Sequence, residues 1–251
     1  MSLAGVRIVL VEPAGPLNVG AIARVMKNLG LSHLVLVNPQ CDYLGPEALQ
    51  MAVHAADILQ SAKVVGTLTE ALKGITRAIA TTGLVRTLQT KLEPPRQALP
   101  WLLEEPLLPA ALIFGREDRG LTNQELNYSQ RFVRIPTSPD YPSMNLATAV
   151  AICCYELAQI NAEILSNSQQ PDSQPNQQVD LASLDMMEGY YQQLEALLLK
   201  IGYLYPHTAA SRMEKFRYLF NRAQLQNSEL AMLRGILSQI EWALVNLKRP
   251  E

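Results

Sequence analysis

Residues 6–30, VRIVLVEPAGPLNVGAIARVMKNLG, decide the fold class. The stretch opens on VRIVLV, an apolar, β-branched run ended by Glu12 and Pro13, and continues with Val19, Ile22, Ala23, Met26 and Leu29 at helical spacing. Four more strand-like runs follow before residue 137: HLVLV (33–37), AIATT (78–82), ALIFG (111–115) and FVRIP (132–136), with helix-like periodicity between them. Such alternation predicts an α/β domain, a mostly parallel sheet covered by helices on both faces. Ligands of such sheets bind at the C-terminal ends of the strands.

The helix within that stretch poses a question about its second face. Asn18 stands where an N-cap would accept a bond from the free amides of the first turn. Gly20, Arg24, Lys27 and Asn28 share the side opposite the apolar stripe. An exposed helical glycine costs about 1 kcal/mol relative to alanine, so close approach of another backbone is expected at Gly20. If that backbone carries phosphates, Arg24 one turn further on is the group to hold them. The plainer alternative is an ordinary solvated helix face.

Two later segments leave strands in the same manner. IFGREDRGLTNQEL (113–126) runs from a strand into Gly115, Arg116, Glu117, Arg119 and Gly120, then into a helix opened by Thr122 with Glu125 three residues on, a capping box. IPTSPDYPSMNLATAVAICCYEL (135–157) turns through Pro136, Pro139 and Pro142 before a helix with the stripe Leu146, Ala149, Val150, Cys153 and Leu157. Three prolines make a stiff loop. Ser143 and Asn145 taken singly read as helix caps.

Bulk properties bound the rest. The chain has 251 residues, a net charge of −2, three cysteines and three histidines. The charge argues against nucleic-acid binding by bulk electrostatics, although a local basic patch is compatible with it. Cys41, the Cys153–Cys154 pair and the scattered histidines match no metal-ligand spacing, so no metal site is expected. No apolar run reaches eighteen residues and no cleavage region follows the first strand, so a cytoplasmic protein without membrane association is expected.

Residues 1–165 read as one domain, 166–180 as a flexible linker around SNSQQPDSQPNQQ, and 181–251 as a helical C-terminal region. In the last, Leu184, Met187, Tyr191, Leu194, Leu198 and Ile201, and again Leu230, Leu233, Leu237, Ile240, Leu244 and Leu247, recur at 3–4 spacing, with Gly202 as a stop. Between them, RMEKFRYLFNR (212–222) sets Arg212, Lys215, Arg217 and Arg222 against Glu214 alone, interleaved with Phe216, Tyr218 and Phe220. That is either a solvated helix with an aromatic packing face or an RNA-backbone contact.

Taken together, NVGAIAR, FGREDRGLTNQEL and IPTSPDYPSMNLATAV resemble the three motifs of the SPOUT superfamily of RNA methyltransferases, in its TrmH-like branch. Within that branch the chain is similar to the TrmJ-type tRNA (cytidine/uridine-2′-O-)-methyltransferases, and LFNRAQLQNSELAMLRGIL (219–237) resembles their helical C-terminal region. The resemblance implies a deep trefoil knot at the C-terminal end of the first domain, a homodimer whose active site uses both protomers, and tRNA as partner, methylated at the ribose of nucleotide 32. An rRNA or another tRNA position stays open as the target, as does a non-catalytic RNA-binding role.

The same resemblance implies S-adenosylmethionine as cofactor, held by Thr81, Thr82 and Gly83, by Gly115, and by Ile135 with Pro142, Ser143 and Met144. No G-x-G-x-x-G turn competes for that role. Arg24, Asn18, Glu117, Ser143 and Asn145 are the expected catalytic set: Arg24 steadies phosphate and developing oxyanion, Asn18 and Glu117 fix the arginine and the loop, and Ser143 and Asn145 orient cofactor and ribose. RNA contacts are expected from Gly20, Lys27, Arg86, Arg116 and Arg119, and from Arg212, Lys215 and Arg217 in the tail. The chain departs from the common pattern in TTGLVRTL (81–88), which keeps only Arg86, and in Pro142-Ser143-Met144-Asn145, where relatives often read Ser-Ser-Leu-Asn.

Overall fold

In the computed structural model, residues 3–83, 91–104, 109–167 and 180–246 are described. Seven strands appear in chain order: β1 (Val6–Val11), β2 (His33–Val37), β3 (Lys63–Val65), β4 (Arg77–Thr81), β5 (Leu92–Glu93), β6 (Ala110–Phe114) and β7 (Arg131–Val133). The helices are α1 (Pro16–Asn28), α2 (Pro46–Ala52), α3 (Ala56–Gln60), α4 (Leu68–Ala71), α5 (Pro95–Ala98), α6 (Asn123–Leu126), α7 (Leu146–Asn167), α8 (Leu184–Lys200), α9 (Pro206–Ala223) and α10 (Asn227–Asn246). The chain divides into two compact units, residues 1–177 and 178–251.

The first unit is built on one sheet in the order β3-β2-β1-β6-β4-β7-β5, with every strand pair parallel. The α/β expectation is met, and all five strand runs read from sequence are present. The sheet adds two edge strands, β3 and β5, too short and too exposed for hydrophobic periodicity to reveal. β6 is buried along its whole length at the centre, registered with β1 (Val6 opposite Ala110) and β4 (Arg77 opposite Ala110). Helices α1 and α7 supply Val19, Ile22, Met26, Val150, Cys153 and Leu157 to the core beside the sheet.

Two features of α1 differ from the sequence reading. The helix begins at Pro16 with Gly15 as N-cap, so Asn18 lies inside the first turn. Gly20 is buried, because α2 lies across that face: a β-carbon there would stand 2.2 Å from the Ala48 carbonyl oxygen and 2.9 Å from Met51 Cβ. The close backbone approach that a helical glycine calls for is therefore that of α2, not of RNA. Helix α7 runs through Asn167, two residues into the stretch read as linker.

The second unit consists of α8, α9 and α10 around Met187, Tyr190, Tyr191, Leu194, Leu197, Met213, Leu230 and Leu237. Gly202 ends α8 as expected, with φ +77°. Ile201 and Ile240, read as seam positions, are instead exposed, and Leu247 and Arg86 lie outside the described residues.

Candidate active site

Strands β4, β6 and β7 are neighbours whose C-terminal ends share one edge of the sheet, and the chain leaves each of them through a turn of special chemistry. After β6, Gly115 passes so close to the returning chain that a β-carbon would meet the Gly120 carbonyl carbon at 2.2 Å; Gly120 itself has φ +66°. The Arg116–Gly120 bridge closes this turn, and the Thr122–Glu125 capping box, formed in both directions, starts α6 behind it. After β7 the proline loop 136–142 leads into α7, whose first turn is capped by Asn145: its Oδ1 accepts from the Thr148 amide at 3.2 Å.

The three turns enclose a cavity of about 240 Å³. All eight residues expected around a cofactor line it: Thr81, Thr82, Gly83, Gly115, Ile135, Pro142, Ser143 and Met144. Phe114, Leu121, Val133, Leu146 and Ala149 complete apolar walls that sequence reasoning did not assign; the signal available for Val133 was its alternation with Ile135, two residues beyond the end of β7. Thr137 adds a hydroxyl, and Arg116, Glu117 and Arg119 line the cavity as well. Apolar walls, hydroxyls and strand-end backbone suit a flat heteroaromatic ring, and a carboxylate on the lining suits a positively charged group.

Beside the cavity, Glu117 organises a polar network. Its Oε2 accepts from the Ala14 amide at 2.9 Å, while Oε1 accepts from the Gly15 amide at 3.0 Å and from Asn18 Nδ2 at 3.1 Å. The carboxylate thus caps the N-terminus of α1 from a loop about a hundred residues later, where the helix dipole favours negative charge. Burial pushes the Glu117 carboxyl up, but the hydrogen bonds from Ala14, Asn18 and Gly15 outweigh it and hold the group below its ordinary range. Asn145 Nδ2 donates to Asn18 Oδ1 at 3.0 Å, so the start of α7, the start of α1 and the Glu117 loop form one chain of bonds. Four of the five expected catalytic residues are accounted for in or beside the cavity. Arg24 is exposed on α1, outside the lining, and makes no hydrogen bond or ion pair to any described residue. Asn18 and Glu117 fix the loop and the helix start, not the arginine.

The expected RNA contacts divide sharply. Gly20 is buried against α2, as above. Arg119 is committed within the protein: it bonds Glu12 at 2.8 Å and Glu125 at 2.9 Å, and these carboxylates raise its pKa further. Arg217, half-buried, makes a bidentate pair with Glu188 and lies 4.5 Å from the ring centroid of Tyr191, a core residue of the second unit. Lys27 pairs with Asp57 at 2.8 Å and with the His54 carbonyl oxygen, and Arg116 pairs with Asp118 at 3.1 Å. These charges complete internal or local pairs that sequence spacing cannot reveal. Arg212 and Lys215 remain exposed on α9.

Among the described residues, no group of three or more His, Cys, Asp or Glu is placed to hold a metal ion, and no helix is long and apolar enough to cross a membrane.

Comparison with known proteins matches residues 5–155 to the SpoU rRNA Methylase family and residues 185–250 to the C-terminal domain of the tRNA methyltransferase TrmJ. The chain is 38% identical over 240 residues to the tRNA (cytidine/uridine-2′-O-)-methyltransferase TrmJ of Salmonella choleraesuis, covering 95% of this chain and 97% of that one. Its structure resembles that of TrmJ from Z. mobilis ZM4, with a TM-score of 0.81 at 29% identity, over 94% of this chain and 98% of that one. The fold of the SpoU methyltransferase AviRb from Streptomyces viridochromogenes, solved in complex with the cofactor AdoMet, is also similar, with a TM-score of 0.50 at 20% identity over 62% of this chain and 57% of that one.

Proposed function

We propose, from the premise that this chain belongs to the SpoU rRNA methylase family and within it to the TrmJ-type enzymes, that it transfers a methyl group from S-adenosylmethionine to a ribose 2′-hydroxyl of tRNA, at nucleotide 32 of the anticodon loop. The observation that carries the reading is the convergence of Thr81–Gly83, Gly115, Ile135 and Pro142–Met144 on one cavity, with the Glu117–Asn18–Asn145 network beside it. When bound, the cofactor supplies an activated sulfonium methyl, which leaves a neutral thioether once the ribose oxygen has taken it. The protein's share is to align the hydroxyl, exclude water and stabilise the charge that develops as the proton leaves.

Each residue has a part in that share. Phe114, Leu121, Val133 and Leu146 would give the cofactor's ring a dry slot, and Thr81, Thr82 and Gly83 would hold its edge. Thr81 Oγ1 is already spent on the Ile113 carbonyl oxygen at 3.1 Å, which ties its turn to β6. Ser143 and Asn145 orient cofactor and ribose, while Asn18 and Glu117 keep the 115–120 turn and the start of α1 in register. Arg24 orients phosphate and stabilises the oxyanion rather than taking the proton. Because it lies outside its own chain's cavity, the reading includes a homodimer in which Arg24 of one protomer serves the cavity of the other.

A deep trefoil knot at the C-terminal end of the first domain belongs to the same proposal, as does a C-terminal unit that contributes to tRNA binding or dimerisation. Incubation with methyl-labelled S-adenosylmethionine and unmodified total tRNA, followed by nucleotide mapping by mass spectrometry, tests the function. A 2′-O-methyl group at nucleotide 32 is expected; label confined to ribosomal RNA or to another tRNA position would overturn the assigned target.

A further inference from the structure

The loop between α8 and α9 holds two tyrosines outward on a rigid frame. Gly202, with φ +77°, turns the chain out of α8, and the amides of Tyr203 and Leu204 both bond the Leu198 carbonyl oxygen at 3.0 Å. Leu204 is 1% exposed and anchors the loop in the core, whereas its neighbours Tyr203 and Tyr205 are 53% and 55% exposed. Pro206 then starts α9, whose N-cap position, Tyr205, offers no side-chain cap. Two large rings are thus left in water by a loop with little freedom to withdraw them.

The surroundings are cationic. The Arg212 guanidinium lies 5.7 Å from the Tyr203 ring centroid, and its Nη1 donates to the Tyr203 carbonyl oxygen at 3.2 Å, so the cation is fixed beside the ring. Lys215 is exposed one turn along α9, and Glu214 is the single acid between residues 201 and 223. Two exposed aromatic rings with a guanidinium fixed beside one of them and a local positive excess match a nucleic-acid strand whose bases are unstacked: rings take the bases and cations the phosphates.

We propose that Tyr203 and Tyr205, with Arg212, form a base-stacking platform for unstacked nucleotides of the RNA substrate. This rests on the reading of the chain as an RNA-modifying enzyme and adds where the second unit grips that RNA. The platform also accounts for a C-terminal unit in which Arg217 is taken up by Glu188 and Tyr191: contact passes to Arg212, Lys215 and the rings.

The test compares the full chain with Tyr203→Leu/Tyr205→Leu, which keeps apolar bulk but removes the ring faces, and with Tyr203→Phe/Tyr205→Phe, which keeps them. Equilibrium binding of unmodified tRNA and of S-adenosylmethionine is measured for all three, with thermal melting to verify folding. The leucine pair should raise the Kd for tRNA on the order of tenfold or more while cofactor binding holds, and the phenylalanine pair should bind like the parent. Equal tRNA binding by a folded leucine pair would overturn the platform, even with methylation of tRNA intact. If the parent methylates no tRNA, the functional reading fails separately, and the same variants on a single-stranded oligouridine decide the platform: a loss with leucine supports it and no loss overturns it.

Discussion

Substituting Gly20 by alanine separates two physical accounts of the first helix by the sign of its effect. Were Gly20 on an open face, alanine would stabilise the helix by about 1 kcal/mol through propensity alone. In the structure the new β-carbon would stand 2.2 Å from a backbone oxygen of α2, well inside the 3.4 Å at which ordinary contact begins. A carbonyl within a helix cannot rotate away as a side-chain end can, so α2 must shift as a body. Overpacking costs about 1–3 kcal/mol, and a clash this close against backbone belongs in the upper half of that range, about 2–3 kcal/mol. The net expectation is a loss of roughly 1–2 kcal/mol, a fall in melting temperature of roughly 2–8 °C for a domain of this size. Thermal and urea unfolding by circular dichroism measure it. Gly235 in α10, with open space where a β-carbon would go, is the control and should gain stability as alanine. A stabilised Gly20→Ala protein would refute the packing of α2 on α1.

Three further outcomes follow from the site. Arg24→Ala should lower the methylation rate on the order of 100-fold, the scale of losing an electrostatic stabiliser, while S-adenosylmethionine binding by calorimetry stays unchanged; near-normal turnover would remove Arg24 from the chemistry. Glu117→Gln should cost about 1–2 kcal/mol at pH 7, because a neutral amide cannot satisfy the Ala14, Gly15 and Asn18 donors together. Its carboxyl is held below the ordinary value, so the parent has this stability above the unfolded-state pKa and loses it as pH falls through the folded-state pKa. The gap between parent and variant, followed by urea unfolding, should therefore close in acid, and a gap that persists there would exclude the charged cap.

The parts of this molecule legible in its sequence are those written in local chemistry. Short apolar runs marked the five inner strands, and turns with glycine, proline and hydroxyls marked the exits at which the cavity forms. Residues whose partners are distant in sequence were misread. Asn18 looks like an N-cap because it is the first capping type in its helix, yet the helix is opened by Gly15 and Pro16 and capped by Glu117 from another loop. Gly20 shares a face with Arg24, but α2 covers one and leaves the other. Arg119 and Arg217 carry the same charge as Arg212, and only the fold shows that Glu12, Glu125 and Glu188 have taken it up.

If the turns after β4, β6 and β7 enclose the cofactor, filling the cavity between them must abolish its binding. Ala149, on the first turns of α7, lines that cavity, and Ala149→Trp would fill it. Titration of S-adenosylmethionine into the parent and this variant by calorimetry is the direct measurement. One site per chain is expected in the parent, and lost binding in a variant that still melts cooperatively. Undiminished binding by the folded tryptophan variant would contradict this and move the cofactor elsewhere on the protein.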